Sequence, residues 1–180
     1  MRRLLATLLA STAVSAAAQH APAHHPPAHP APADHGPAAH GPAHAPPTGL
    51  SASEMHGLRT GAGMGLARPA ELHRFPGPLH VLELADTLGL DAAQRAEAEA
   101  LRARVLAEAT TLGRQAVDAE HRLDALFAAG APTPEAVQAL TTEIGLLRAR
   151  IRYVHLRAHL DMRAALTDAQ AALYHAIRHP

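Results

Sequence analysis

The 180-residue sequence has no cysteine, no tryptophan and no lysine. Without cysteine there is no disulfide framework, no thiolate nucleophile, no iron–sulfur cluster and no Cys-type zinc site. Aromatic residues are scarce, two Phe and two Tyr, and the 48% apolar fraction is mostly alanine, so a thick globular core is not expected. No charge excess of either sign exists: 16 basic residues balance 16 acids. A nucleic-acid binder normally carries a basic excess, so no nucleic-acid partner is expected. No apolar run is long enough to span a bilayer, and no alternating stretch is long enough for a strand. The length suits one small domain. What the chain does have in quantity is histidine and proline, 15 of each.

Met1, Arg2 and Arg3 form a basic start, Leu4 to Ala13 an apolar run, and Ala16–Ala17–Ala18 a small-residue cleavage signal. This is the pattern of a secretory signal peptide over residues 1–18, cleaved after Ala18; an uncleaved anchor is the alternative. Arg2 and Arg3 leave with it, so the mature chain is slightly acidic. An exported chain without cysteine fits a periplasm. Residues 19–47 are an Ala/Pro/His/Gly segment in which proline recurs too often for helix or sheet, and a disordered tail is expected. It carries His20, His24, His25, His29, His35, His40 and His44. Neutral imidazoles on a flexible chain can gather loosely around zinc, copper or nickel; the alternative is a plain soluble linker.

Residues 48–77 read as an irregular approach segment, with a turn-rich Gly61–Ala62–Gly63–Met64–Gly65 that lacks the strand and Lys–Ser/Thr of a phosphate loop. From residue 78 to 178 the periodicity is helical. Pro78 opens and Gly89 closes a helix over 78–88. A second helix spans about 92–129, with Ala98, Leu101, Val105, Leu112, Ala116, Ala119, Leu123 and Leu126 on one stripe. Gly130–Ala131–Pro132 ends it, and Thr133 caps a third helix that runs to about 165. Its Val137, Leu140, Ile144, Leu147, Ile151, Val154 and Ala158 keep an a/d heptad. A fourth helix covers about 168–178. The expected fold is all-α: a long antiparallel hairpin with two shorter flanking helices, and a homodimer to cover the remaining apolar face.

Two local motifs recur. Leu166–Thr167–Asp168–Ala169–Gln170 is a capping box, in which the Thr167 hydroxyl caps the N–H of Gln170 and the Gln170 side chain reaches back to the N–H of Thr167. Leu90–Asp91–Ala92–Ala93–Gln94 repeats it with Asp as the cap. Two such boxes framing a helical hairpin behind a signal peptide resemble the Spy/CpxP family of periplasmic stress proteins, whose hallmark is a pair of LTxxQ motifs. Gly61 to Ala67 and Phe75–Pro76–Gly77–Pro78 resemble the upstream region of periplasmic heavy-metal sensors. The resemblance implies a helical hairpin, often a dimer with a cradle-shaped face, and either metal sensing or ATP-independent chaperone action. A third class is an interaction module that regulates an envelope-stress sensor, with a membrane sensor or anti-sigma factor as its partner.

His155, His159 and Met162 are spaced i, i+4, i+7 and so share one helical face. Two imidazoles at i, i+4 can chelate one ion, and a thioether adds a soft ligand. With the turn centred near residue 131, position 162 lies level with 100, and a fold-back at residue 90 brings 80 to the same level. The expected metal site is therefore His80, Glu83, His155, His159 and Met162, for a divalent Zn, Ni, Co or Cu ion and no organic cofactor. The family's metal-sensing branch implies the same residue types from its first and third helices. The competing reading leaves both histidines satisfied beside the seam and Met162 as a gap-filler. For client binding, the candidates are Arg148, Arg150, Arg152, Arg157 and Arg163 on the third helix; the competing reading is a solvated face balanced by acids of the second helix. No enzyme is expected, because nothing supplies a phosphate cradle or a Ser–His–Asp arrangement. Glu120–His121 is not the H-E-x-x-H of a zinc hydrolase.

Overall fold

The computed structural model describes residues 47–180. The leader expected over 1–18 and the histidine-rich segment over 19–47, apart from Pro47, lie outside the described residues, and all seven tail histidines with them. The described residues are all-α with no strand among them. In order come α1 (Ala52–Thr60), α2 (Arg68–Leu72), α3 (Pro78–Glu83), α4 (Ala92–Ala128), α5 (Pro134–Ala165) and α6 (Asp168–Arg178). No helix among the described residues is long and apolar enough to cross a membrane.

The approach segment, expected to be irregular, holds α1 and α2, with the turns read at Gly61–Gly65 lying between them. A third capping box starts α1: the Ser51 hydroxyl accepts from the Glu54 N–H and the Glu54 carboxylate accepts from the Ser51 N–H. Gly61 ends α1 in the left-handed region at φ 68°. Gly61 also approaches α4 closely, a Cβ there lying 2.9 Å from the Thr110 hydroxyl and 3.0 Å from the Leu106 carbonyl. A Cβ on Gly113 of α4 would lie 1.9 Å from the Leu58 carbonyl oxygen, so glycine lets α1 cross α4 at that point. The helix expected over 78–88 also differs, for α3 stops at Glu83. The chain continues through successive hydrogen-bonded turns, Ala85 N–H to the Leu82 carbonyl and Gly89 N–H to the Asp86 carbonyl. Ala85, Leu88 and Leu90 are nevertheless buried, so the apolar spacing of a helix serves a run of turns.

α4 is 37 residues long, about 55 Å at 1.5 Å per residue. It packs along α5 with reversed direction: Gln94 reaches the Ala165 carbonyl, Glu120 pairs with Arg148, and Arg122 with Glu143. Ile144, Leu147, Ile151 and Val154 of the heptad bury against Leu112, Ala116 and Val117 of α4, with Leu58 of α1 closing the cluster. A second cluster gathers Val81, Leu101, Met162, Leu166 and Tyr174. Residues 80, 100 and 162 were expected at one level, and Val81, Leu101 and Met162 meet within one residue of it.

Both LTxxQ-type boxes form. Asp91 accepts from the Gln94 N–H at 2.8 Å and Gln94 Oε1 from the Asp91 N–H at 3.2 Å; the Thr167–Gln170 pair repeats this at 3.2 and 2.9 Å. The two glutamines then face each other. Each Nε2 donates to the other's Oε1 at 2.9 Å, and the remaining protons go to the Ala165 carbonyl (3.0 Å) and the Leu88 carbonyl (3.3 Å). Each amide thereby uses both its donors and both its acceptor positions, and Gln170 Oε1 also accepts from the Thr167 hydroxyl at 3.1 Å. Glutamate in either place would lack the donors.

Candidate metal centre

Glu71 organises the histidine region, and α2 carries it. Pro69 presets the first turn of this short helix. After it the chain reverses at Arg74, a non-glycine residue at φ 65°. Phe75, Pro76 and Gly77 then pass across α5 at His159. The His159 Nδ1–H donates to the Phe75 carbonyl at 2.7 Å. A Cβ on Gly77 would strike the His159 ring at 2.8 Å, so glycine is what allows the strand-like crossing. The Gly77 N–H donates to Glu71 Oε1 at 3.3 Å. Pro78 starts α3 and places His80 in its first turn, where Nδ1 lies 3.1 Å from the same Glu71 oxygen. His159 Nδ1 is 3.9 Å from it. The other carboxylate oxygen accepts from the Tyr174 hydroxyl of α6 at 2.7 Å.

Burial raises the Glu71 carboxyl, but the Tyr174 hydroxyl and the imidazoles of His80 and His159 outweigh it and hold the group below the ordinary carboxylate range. Tyr174 is pushed upward by burial and by its bond to that carboxylate. His155, one turn before His159, is lowered by burial and then by the neighbouring His159, which favours its neutral form. Neutral imidazole is the form that ligates metals. The His159 arrangement also has a chemical consequence. A ring whose Nδ1–H is held by a backbone carbonyl keeps its Nε2 as a lone pair, the usual orientation of a metal-ligating histidine.

A cavity of about 270 Å³ is lined by Gly63, Glu71, His80, His155 and His159. It adjoins a more open hollow that shares those residues and reaches His179. Among the described residues, the buried side-chain nitrogens and oxygens without a hydrogen-bond partner are His155 Nε2, His175 Nδ1 and His179 Nε2. All are imidazole nitrogens. Buried polar atoms normally have partners, so such atoms require a reason. Among the described residues no three His, Asp or Glu side chains stand in coordination geometry as they lie.

Of the expected ligands, His80, His155 and His159 are brought to one cavity. Glu83 is not; it is exposed on the last residue of α3, and Glu71 supplies the carboxylate. Met162 has no exposure and packs with Val81, Leu101 and Tyr174, away from the cavity lining. Its i+7 spacing from His155 places it in the core because Val81 of α3, Leu101 of α4 and Tyr174 of α6 close over it. Glu71 lay in a segment read as irregular, and no local signal marks it; the reversal at Arg74 is what returns it to α5. The five arginines do not form an uncompensated strip. Arg148 pairs with Glu120, Arg157 with Asp161 and Arg163 with Asp168, while Arg150 and Arg152 have no ion pair among the described residues. No protein-family model matches the chain, and no curated protein or solved structure is significantly similar to it.

Proposed function

We propose that the chain is a periplasmic metal-binding protein of the Spy/CpxP type, built on an antiparallel helical hairpin and serving heavy-metal sensing or resistance. It acts without catalysis. The ion is a divalent Zn, Ni, Co or Cu held by His80, His155 and His159 with Glu71. The observation that carries this reading is the unpartnered, buried Nε2 of His155, on a ring that lines one cavity with His80, His159 and a carboxylate held below its ordinary range. Imidazole and carboxylate suit these ions, with affinity rising from Co through Ni to Cu and falling again at Zn. Binding would draw the side chains together from their present separation. Glu71 also bonds Tyr174 of α6, so closure on an ion would be felt at the helix that carries the second capping box. That link offers a route to a membrane sensor or anti-sigma partner.

Calorimetric titration of the full chain with nickel, zinc and copper tests the reading. The tightest binding event should disappear in His155→Ala/His159→Ala and survive in Glu83→Ala. Unchanged affinity in the double variant would remove the site.

A second reading, an ATP-independent chaperone, has its own support. Leu146, Tyr153 and Leu160 repeat every seven residues along α5 and are 61%, 60% and 52% exposed. With Arg150 beside them this apolar stripe could hold unfolded periplasmic proteins, or a second copy as a homodimer. Light scattering of an aggregating client separates the two: a Leu146→Glu/Leu160→Glu variant should lose any suppression while keeping metal affinity.

A further inference from the structure

His175 and His179 stand apart from the ligands so far described. His175 lies in the last turn of α6, and His179, four residues on, is the C-cap residue just past its end at φ −138° and ψ 63°. Their ring centroids are 5.0 Å apart with the planes tilted by 44°. An ion about 2.0–2.1 Å from one nitrogen of each ring, at the tetrahedral angle, sets imidazole centroids about 5 Å apart. The pair is therefore already at chelating separation. Each ring also has one buried nitrogen with no hydrogen-bond partner, Nδ1 of His175 and Nε2 of His179. A structural histidine pair would use those atoms in hydrogen bonds; these two are left over. The site also occupies the carbonyl end of an 11-residue helix, where the backbone dipole favours a cation.

We infer that His175 and His179 form a second metal site, a two-imidazole chelate for a divalent transition cation, with water completing the coordination. Nδ1 of His175 and Nε2 of His179 are the ligand atoms. Two protein ligands make it a weaker and more labile site than the cavity. His179 borders the open hollow that leads to Glu71, His80, His155 and His159. Through His179 the pair adjoins the mouth of the larger site, where an ion in transit would meet an imidazole first.

The test is a long-range proton–nitrogen correlation spectrum of the histidine rings in the full chain, titrated with Zn²⁺. His175→Gln and His179→Gln provide the assignments, and the buried Tyr174 ring signals report that α6 stays docked. The expected result is a shift of His175 Nδ1 and His179 Nε2 at the same zinc concentration. Either single substitution should abolish the shift in the remaining ring. His155→Ala/His159→Ala should leave the paired shift in place, so this site and the cavity fail or survive separately. Zinc that moves the cavity and tail rings while His175 and His179 stay still would overturn the inference. So would shifts in the two rings that persist independently of each other, or that vanish with the cavity histidines.

Discussion

Two part-buried polar clusters sit on the same helical frame and are completed in opposite ways. At the end of the α4/α5 pair, Gln94 and Gln170 use every donor and acceptor they have, on each other, on their own caps and on two backbone carbonyls. Within reach of the same α6, the cluster of Glu71, His80, His155 and His159 leaves an imidazole nitrogen buried with nothing to bond. A saturated network has no use for a ligand and reads as structure. An unsaturated one costs stability unless something else completes it. The difference predicts that substitutions in the first cluster act on folding alone, and those in the second act on metal binding.

The largest effect is expected at the saturated end. Gln94→Leu removes both bonds to the Gln170 amide, the bond to the Ala165 carbonyl and the bond from the Asp91 N–H, at a cost of about 2–4 kcal/mol in urea unfolding. That loss should be the same with and without zinc; a zinc-dependent loss would erase the distinction between the clusters. Gly77→Ala comes next. Its Cβ would meet the His159 ring at 2.8 Å, and crowding of that kind costs about 1–3 kcal/mol. It should also displace His159 and abolish the tightest metal-binding event in calorimetry. Full metal affinity in Gly77→Ala would place the ion elsewhere.

His155→Leu reverses the sign. It replaces a buried, unpartnered polar ring by an apolar side chain of similar size. The metal-free protein should gain up to about 1 kcal/mol while losing its zinc response. A clear loss of stability without metal would mean that His155 is bonded after all.

The smallest effect is that of pH. Burial holds His155 below the free imidazole value of about 6.5, so between the two values the unfolded chain binds more protons and stability falls as pH falls. Glu71 is held below the free carboxylate value of about 4.3, so its contribution is present above that and is lost only as pH drops through the folded value. In chelator-treated protein, urea midpoints should decline below about pH 6.5, and less so in His155→Leu. Identical pH profiles would show that His155 is not buried neutral.

The parts of this molecule written in local chemistry were legible before the fold. The starts of α4, α5 and α6 follow from Asp91, Thr133 and Thr167 as caps, and their ends from Gly130 and the second LTxxQ-type box. The three cavity histidines followed from i, i+4 spacing and from counting levels along the helices. What was not legible depends on the chain meeting itself. The capping box of Ser51 and Glu54 that starts α1 was not read in a segment expected to be irregular, and of the glycines that marked its turns Gly61 also packs closely against α4. Glu71 could not be found, because a turn at Arg74 with no glycine to announce it delivers the carboxylate to His80. Glu83 was favoured for its helical spacing from His80, which the early end of α3 turns to solvent. The pairing of Gln94 with Gln170 is likewise a tertiary event between two motifs that each look complete alone.

The cavity as a metal site is tested most directly by zinc-dependent unfolding. Histidines of the N-terminal segment can bind zinc in the folded and unfolded chain alike and so do not shift the equilibrium, whereas a site that exists only in the folded domain does. At zinc about 100 times the dissociation constant, the full chain should gain about 2.7 kcal/mol in unfolding free energy. His155→Ala/His159→Ala should gain much less, only what the weaker His175/His179 site supplies. Equal stabilisation of both proteins by zinc, or of neither, would contradict the assignment.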